Sequence, residues 1–299
     1  MNKVLAIVVT FKRKDLLMEV LNSLLSQTEV PSKILVIDNN SSDGTEEAVT
    51  ELAQLNSEIA YHNTGANLGG AGGFHFGFNV AEEYDYSHLW LMDDDFKPES
   101  DCLEKMLALN HIGIVQPIRF NLDGSCAELS PTVYDLDSPF SLNPKKQSVF
   151  ELYDENKLVD TTNLDGIPFE GPLISREVVK DIGFPEPKFF IFYDDLDYAI
   201  RTRRAGYEII CNPEVKATRL LMNNQGDDLL SWKGYFMLRN LFYVHKTHGN
   251  NIFVKTKPYL LFLGYASKCF ISGNMKQIKI VYQALMDSSS LSNTDKHKP

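Results

Sequence analysis

The chain has 299 residues, of which 43% are hydrophobic and 23% charged, ordinary proportions for a folded globular protein. Its 40 acidic and 29 basic side chains give a formal net charge of −11, which argues against a nucleic-acid partner because phosphate backbones require a basic face. Four widely spaced cysteines without a CxxC pair argue against a zinc site or a disulfide framework and fit a reducing cytosol.

Apolar runs and amphipathic segments alternate along the first hundred residues. Residues 4–10 form a run that is typical of a strand buried on both faces, and residues 15–25 place their leucines on one helical stripe. The alternation continues with predicted strands at 33–37, 59–62 and 88–92 and with helices that end near Leu52 and span 71–83. Repeated β-α units favour a Rossmann-like α/β fold, in which a mostly parallel sheet is flanked by helices and ligands lie beyond the carboxyl ends of its strands.

The pattern changes in the second half of the chain. Periodicity fades between 121 and 165, and we interpret this polar, proline-broken region as an insertion or an acceptor-side loop. Helices are predicted at 175–182 and 194–205, each followed by a glycine, and a strand at 207–211. From residue 228 onward the pattern is mainly helical.

Three adjacent aspartates, Asp93, Asp94 and Asp95, follow the strand predicted at 88–92. Neighbouring carboxylates repel one another unless a cation or hydrogen-bond donors offset their charge. A hard divalent ion would do so, and it would at the same time bind a diphosphate. The alternative is a solvated acidic turn that caps the next helix.

A glycine-rich segment at 67–74 carries four glycines in the five positions from 69 to 73. A backbone without side chains lets a phosphate or sugar approach closely at a helix N-terminus. The GxGxxG dinucleotide fingerprint is absent from the loop after the first strand. A flexible turn is the alternative, and we favour a functional loop because each helical glycine costs about 1 kcal/mol.

Asp194 and Asp195 follow the aromatic run 189–193 and begin a predicted helix. A carboxylate beside an aromatic wall is partly desolvated, which suits a general base that takes a proton from a hydroxyl group. The alternative is structural, because acids in the first turn and arginines in the last complement the helix dipole, and Asp197 lies four residues before Arg201.

Taken in order, the segments 8–13 and 36–45 and the three aspartates resemble the family 2 glycosyltransferases of GT-A fold. The segments 67–74 and 189–201 are similar to the branch that contains bacterial galactofuranosyltransferases and rhamnosyltransferases. This resemblance covers residues 1 to about 250.

The resemblance divides the chain into a catalytic domain and an extension. The GT-A domain is expected at 1–227, with a nucleotide-sugar half at about 1–110 and an acceptor half at about 111–227. A helical C-terminal extension at 228–287 and a disordered tail at 288–299 follow.

The resemblance also implies roles for individual residues. Asp38 would meet the edge of the base, which we expect to be uracil, and Asp93 and Asp95 would bind Mn²⁺ or Mg²⁺. Asp194 or Asp195 would deprotonate the acceptor, with Asp194 preferred. The acceptor side would include Gly171 and Tyr193. The donor would be bound by Thr10, Phe11, Arg13, Asp38, Asn67, Gly69, Gly70, Asp93, Asp94 and Arg219.

One position departs from the family pattern. Such enzymes commonly carry a histidine metal ligand in the region that corresponds to 212–219, where this chain has no histidine and Thr218 or Arg219 takes its place. Arginine cannot ligate a metal, but its charge can hold a diphosphate. The resemblance therefore implies a divalent metal that is bound mainly by Asp95 and phosphate, or one that is dispensable.

The function implied is an inverting transfer of a sugar from a nucleotide donor to a hydroxyl group. The preferred reaction moves galactofuranose from UDP-galactofuranose to a glycan or lipid-linked saccharide during synthesis of bacterial cell-surface polysaccharide. One alternative is a rhamnosyltransferase that uses dTDP-rhamnose. The other is a catalytically silent binding or scaffold protein on the same fold.

The segment 255–279 mixes apolar and basic residues. It suits either a peripheral contact with an anionic membrane or a helical pair that packs on the catalytic domain or forms a homodimer. We expect a cytoplasmic protein, at most peripheral on the inner face of the cell membrane. No apolar stretch is long enough to span a bilayer.

Overall fold

The structure is a computed structural model that describes residues 3–141, 143–221 and 231–298. The predicted domain boundary at 227 and 228 lies outside these residues. The N-terminal half alternates strands and helices as expected from its apolar pattern. Its elements are β1 Val4–Thr10, α1 Lys14–Leu25, β2 Lys33–Asp38, α2 Thr45–Leu55, β3 Ile59–Asn63, α3 Gly69–Ala81 and β4 His88–Asp93.

The second half is less regular. Its elements are β5 Phe96–Pro98, α4 Cys102–Ala108, β6 Gly113–Asn121, β7 Pro131–Tyr134, β8 Lys145–Ser148, α5 Val149–Asp154, β9 Thr162–Asn163, β10 Leu173–Ser175, α6 Arg176–Ile182, α7 Asp194–Arg204 and β11 Glu208–Arg219. The last strand runs eight residues beyond its predicted end, because it passes Pro213 through an irregularity between Asn212 and Lys216 and then pairs again.

One large sheet connects both halves, in the order β3-β2-β1-β4-β10-β6-β11-β5, with β9 beside β11. The strands β3, β2, β1 and β4 are parallel, whereas β10 runs antiparallel to both of its neighbours. β11 is parallel to β6 and antiparallel to β5 and β9. The sheet is therefore parallel where the first β-α units lie and mixed beyond β4.

Alternating residues of β1 point into two hydrophobic cores, one on each face of the sheet. Leu5, Ile7 and Val9 belong to a core that includes α3, while Val4 and Val8 belong to the core with α1. All seven residues of β1 are buried, as its uninterrupted apolar run predicts. The sheet is thus covered by helices on both faces.

The C-terminal region consists of three helices, α8 Lys233–His248, α9 Ile252–Ile271 and α10 Met275–Asp287, which pack on one another. Tyr235, Phe236 and Phe242 of α8 form a third core with Phe190 and Leu285. No helix within the described ranges is both long enough and apolar enough to cross a membrane.

Residues 288–298 differ from the disordered tail that we expected. They fold back on α8, where Leu291 is buried and the Nη1 of Arg239 donates to the Oγ1 of Thr294 at 2.8 Å. The ring of His297 stacks on Tyr235 at 3.5 Å. The polar composition of this segment did not predict these contacts, because most of them are made by one leucine and by backbone carbonyls.

Candidate active site

The carboxyl ends of β1, β2 and β4 bring the predicted donor residues together. In the sheet register Thr10 lies beside Asp38, and Val9 lies beside Asp93. The Thr10 hydroxyl donates to the Asp94 carboxylate at 2.8 Å, the Phe11 amide donates to it at 3.4 Å, and Arg13 Nη1 donates at 3.1 Å. Asp94 therefore joins the ends of β1 and β4.

Asp38 is fully buried, at 0% exposure. Its carboxylate accepts a hydrogen bond from the amide of Ser41 at 2.8 Å and one from the hydroxyl of Tyr61 at 2.7 Å. One oxygen thus binds the turn after β2 and the other binds β3. Its proposed contact with a base would need one of the lone pairs that these bonds leave free.

Asp93 and Asp95 differ from Asp94 because their carboxylates make no hydrogen bond or ion pair with any other described residue. Burial, together with Asp95 and Glu170, raises the pKa of Asp93 well above its usual range. Burial and the charge of Glu170 raise the pKa of Asp95 to about 6. Two acids that destabilise each other's charged form, without an internal donor, form a site suited to a cation.

Sequence reasoning missed a group of buried charges next to these acids. Arg119 on β6 donates from Nε to Glu128 at 2.7 Å and from Nη1 to Glu170, to which Arg219 on β11 donates at 3.3 Å. Although burial raises the pKa of Glu170, the two guanidinium groups bring it below its usual value. The available signal was Arg119 itself, a charged residue within the mainly apolar strand β6.

A cavity of about 530 Å³ opens beside this group. Arg119, Glu170 and Arg219 form one wall, and Tyr193 and Asp195 line it as well. The hairpin of β7 and β8 supplies further lining residues, so the region without sequence periodicity does border the cavity. They are Ser130, Pro131, Tyr134 and Lys145.

The two acids at the start of α7 lie in different environments. Asp195 lines the cavity, whereas Asp194 is buried and does not. Burial raises the pKa of Asp195 to about 6, the amide of Leu196 that donates to its carboxylate at 2.7 Å opposes this rise, and the charge of Glu170 adds to it. Burial and the charge of Asp195 raise the pKa of Asp194 well above its usual range. This geometry favours Asp195 over our preferred Asp194.

The glycines of the segment 67–74 serve mainly close packing. A Cβ atom on Gly69, whose φ is +72°, would overlap the carbonyl of Phe190, and one on Gly73 would lie 2.6 Å from Cγ1 of Val9. Asn67 accepts the amide of Gly69 at 2.9 Å. Gly70 alone in this segment has open space around it, so only Gly70 offers its surface to a ligand.

Gly171 does not line the cavity, and its acceptor-side role stays a prediction. It has a φ of +100°, and a Cβ atom there would overlap the ring of Phe96. Its amide donates to the Leu91 carbonyl at 2.7 Å, and its carbonyl accepts from Trp90 at 3.0 Å. The preceding residue, Glu170, is the one that reaches the cavity.

The segment that leads into α7 has an unusual backbone. Phe190, Phe192 and Tyr193 have φ angles of +66°, +65° and +70°, which side-chain-bearing residues rarely adopt. The carbonyl of Phe190 accepts a hydrogen bond from the amide of Ala71 at 3.1 Å. This segment therefore connects the glycine-rich start of α3 to the two acids.

Residues 5–113 match Glycosyl transferase family 2. This chain belongs to glycosyltransferase family 2. The family 2 chain is 30% identical to the galactofuranosyltransferase GlfT1 of Mycolicibacterium smegmatis over 213 residues, which are 68% of this chain and 66% of that protein. It is 25% identical to the galactofuranosyltransferase GlfT2 of Mycobacterium tuberculosis over 66% of this chain and 33% of that protein. The family 2 chain thus spans just under two thirds of the first relative and one third of the second.

Solved structures place this family 2 glycosyltransferase in the GT-A fold. The crystal structure of GalNAc-T7 with UDP, GalNAc and Mn²⁺ has a TM-score of 0.60 and 11% identity, over 82% of this chain and 51% of that chain. At this identity the likeness shows the fold alone. In the described part of our chain, no group of three or more His, Cys, Asp or Glu side chains is placed to hold a metal ion.

Proposed function

We propose that this family 2 glycosyltransferase transfers galactofuranose from UDP-galactofuranose to a hydroxyl group of a glycan or lipid-linked saccharide, with inversion, in the synthesis of bacterial cell-surface polysaccharide. The observation that carries the proposal is the position of Asp195, an acid at the start of a helix that faces a cavity next to the donor-side aspartates. The names of the two mycobacterial relatives support the choice of sugar.

The reaction is a single displacement. Asp195 accepts the proton of the acceptor hydroxyl, whose oxygen attacks the anomeric carbon as the bond from that carbon to the nucleoside diphosphate breaks. Arg219 lies beside the cavity and places a fixed positive charge near the departing diphosphate. Tyr193 borders the acceptor side. The pair of bond changes leaves the sugar on the acceptor, the proton on Asp195 and the diphosphate as product.

Asp93 and Asp95 fit a divalent ion because they are close, acidic and without internal donors. Two carboxylates do not complete the coordination of a divalent ion. They would suit Mg²⁺ or Mn²⁺, which can take the remaining ligands from substrate phosphates and water. When bound, the ion would neutralise charge on the diphosphate. This arrangement predicts that metal binds weakly until the nucleotide is present.

The same proposal includes a peripheral contact with an anionic membrane on its cytoplasmic side. Residues 229–286 contain eight lysines and arginines and no aspartate or glutamate, although the chain as a whole has a net charge of −11. The helix α9 exposes Phe253, Leu260 and Ile271 among other apolar side chains, next to Lys255 and Lys268. Apolar side chains beside lysines favour an anionic lipid surface over a symmetric homodimer, because two copies of the same face would bring their lysines together.

The test is donor binding and turnover by the purified chain with UDP-galactofuranose and dTDP-rhamnose, with and without Mn²⁺. We expect UDP-galactofuranose to bind and turn over, and Asp195→Asn to lower kcat by roughly 10²- to 10⁴-fold with donor Kd unchanged. The matched variant Asp194→Asn should lose less. Selective use of dTDP-rhamnose would correct the donor, and the absence of any nucleotide-sugar binding would identify a silent scaffold.

A further inference from the structure

The segment 189–193 is held in its strained conformation by one helix of the C-terminal region. Three of its five residues have positive φ, and none of the five is glycine. Each such residue costs of order 1–3 kcal/mol, so surrounding contacts must fix the conformation. The strain ends at Tyr193, directly before the acids that begin α7.

Asn240 of α8 supplies three of these contacts. Its side chain is fully buried, at 0% exposure, and its Nδ2 donates to the carbonyls of Phe189, Ile191 and Phe192 at 3.1, 2.7 and 3.0 Å. One amide group thus reaches both sides of the strained turn. All three of these hydrogen bonds go to the segment 189–193. Asn240 therefore stabilises that segment and not the helix α8 itself.

Arg239 completes the support. It is also 0% exposed, and its Nη2 donates to the carbonyls of Lys188 and Phe189 at 2.7 and 3.1 Å. Its Nε donates to Oδ1 of Asn240 at 2.9 Å, which fixes the orientation of that amide. The two neighbours in sequence therefore act as one unit.

We propose that Arg239 and Asn240 are positioning residues for the acid that receives the acceptor proton. The inference rests on the proposed function, since it assigns these residues to the geometry of Asp195. They bind the backbone of 189–193, and this backbone sets where Tyr193 and Asp195 lie in the cavity. Both residues come from outside the part of the chain that matches the family, which ends at residue 113.

The principal test is Asn240→Asp, an isosteric change that replaces the donating amide by a carboxylate facing three carbonyls. We expect kcat for transfer to fall by about a hundredfold, because a displacement of about 1 Å has that effect on a reacting group. The Kd for UDP and the donor KM should stay within about twofold, since Thr10, Asp38 and Asp93, at the ends of β1, β2 and β4, receive no hydrogen bond from Asn240. Asn240→Leu should behave in the same way.

A matched control separates positioning from general stability. Lys246 lies on the same helix, and its Nζ donates to Leu285, Ser288 and Ser289 of the α10 end, not to the segment 189–193. Lys246→Met should lower Tm comparably and keep kcat. If Asn240→Asp keeps kcat within about twofold, or if Lys246→Met loses as much kcat, the proposal is wrong.

Two further measurements complete the test. Phe192→Gly places a residue that tolerates positive φ in the turn, so it should restore part of the kcat lost in Asn240→Leu. Amide hydrogen exchange tests, without any turnover, whether Asn240 fixes the segment 189–193. Asn240→Leu should speed exchange at 190–195 at least tenfold and leave exchange in β1 and β2 unchanged. Unchanged exchange would contradict the positioning role of Arg239 and Asn240. Faster exchange in a variant whose wild type shows no transfer would contradict only the proposed function.

Discussion

The adjacent aspartates Asp194 and Asp195 lie in different surroundings. Asp194 and Asp195 occupy the first turn of α7, and only Asp195 borders the cavity. The sequence identified the pair as candidate bases but carried no information on which carboxylate faces the cavity. The carboxylate that faces the cavity is set by the strained turn at Phe192 and Tyr193. Their positive φ angles could not be predicted, because aromatic residues rarely adopt them.

The raised pKa of Asp195 predicts that removing its charge stabilises the fold and lowers activity. Its folded-state pKa of about 6 lies above its usual 3.8, so the folded protein holds the proton more tightly and loses stability as pH rises from about 4 to 6. Asp195→Asn should therefore raise Tm at pH 8, where the wild type carries the unfavourable charge, while it lowers kcat by roughly 10²- to 10⁴-fold.

The measurement is thermal unfolding of both proteins from pH 4 to pH 8. The difference in Tm should shrink towards pH 4, where Asp195 is protonated in the folded chain and about half protonated in the unfolded chain. A variant that is less stable than the wild type at pH 8 would show that the carboxylate is stabilised by its surroundings.

Other residues show where sequence reasoning stopped. The grouping of Thr10, Arg13 and Asp94 follows from strand order, because the ends of neighbouring parallel strands must meet. Glu170 and Arg119 come from separate strands and loops, and their pairing depends on the antiparallel insertion of β10. Apolar patterns predict that a strand exists but not beside which strand it lies.

At the scale of elements, α3 shows how glycines adapt a helix to a sheet. Gly73 faces Val9, and Gly77 faces Ile7 of β1, so the helix axis lies closer to the sheet than a helix with side chains there would allow. The sequence pattern identified the helix and its start within two residues. It could not separate a ligand loop from close packing, because both require the absence of a Cβ atom.

A pair of alanine substitutions tests this reading. Gly73→Ala places a Cβ atom 2.6 Å from Val9 and should lower the free energy of unfolding by roughly 1–3 kcal/mol. Gly70→Ala meets nothing within 4 Å and should leave stability unchanged or raise it by up to about 1 kcal/mol. Urea denaturation measures both. Equal losses would contradict the packing explanation.

At the scale of the whole molecule, charge is distributed unevenly. The acid-free region 229–286 lies on a chain whose remaining residues carry a large excess of acids. Its helix α8 contributes Met237 and Leu241 to the lining of the cavity, and α9 and α10 pack against α8. The surface proposed to meet the membrane is thus on the same helical unit that borders the acceptor site.

Sedimentation with lipid vesicles checks this surface. The full chain should bind vesicles of phosphatidylglycerol and phosphatidylcholine, and not vesicles of phosphatidylcholine alone. The double variant Lys255→Glu with Lys268→Glu should bind at least tenfold more weakly, since each lysine contributes about 1 kcal/mol at an anionic surface. Lys180→Glu, on an exposed position of α6, should bind normally.

The contrary results are equally specific. Equal binding to neutral vesicles would remove the role of the lysines. A stable dimer in analytical ultracentrifugation that the Lys255 and Lys268 variant abolishes would identify the face as a homodimer interface instead.

The contacts of Arg239 with residues 292 and 294 set an order of events during synthesis of the chain. A ribosome makes the donor half first, and its parallel strands can pair while the rest is still being translated. Arg239, which binds the carbonyls of Lys188 and Phe189, gains its own full set of bonds only after Thr294 has been added. We therefore expect the turn before the proposed base, Asp195, to be fixed later than the strands of the donor half.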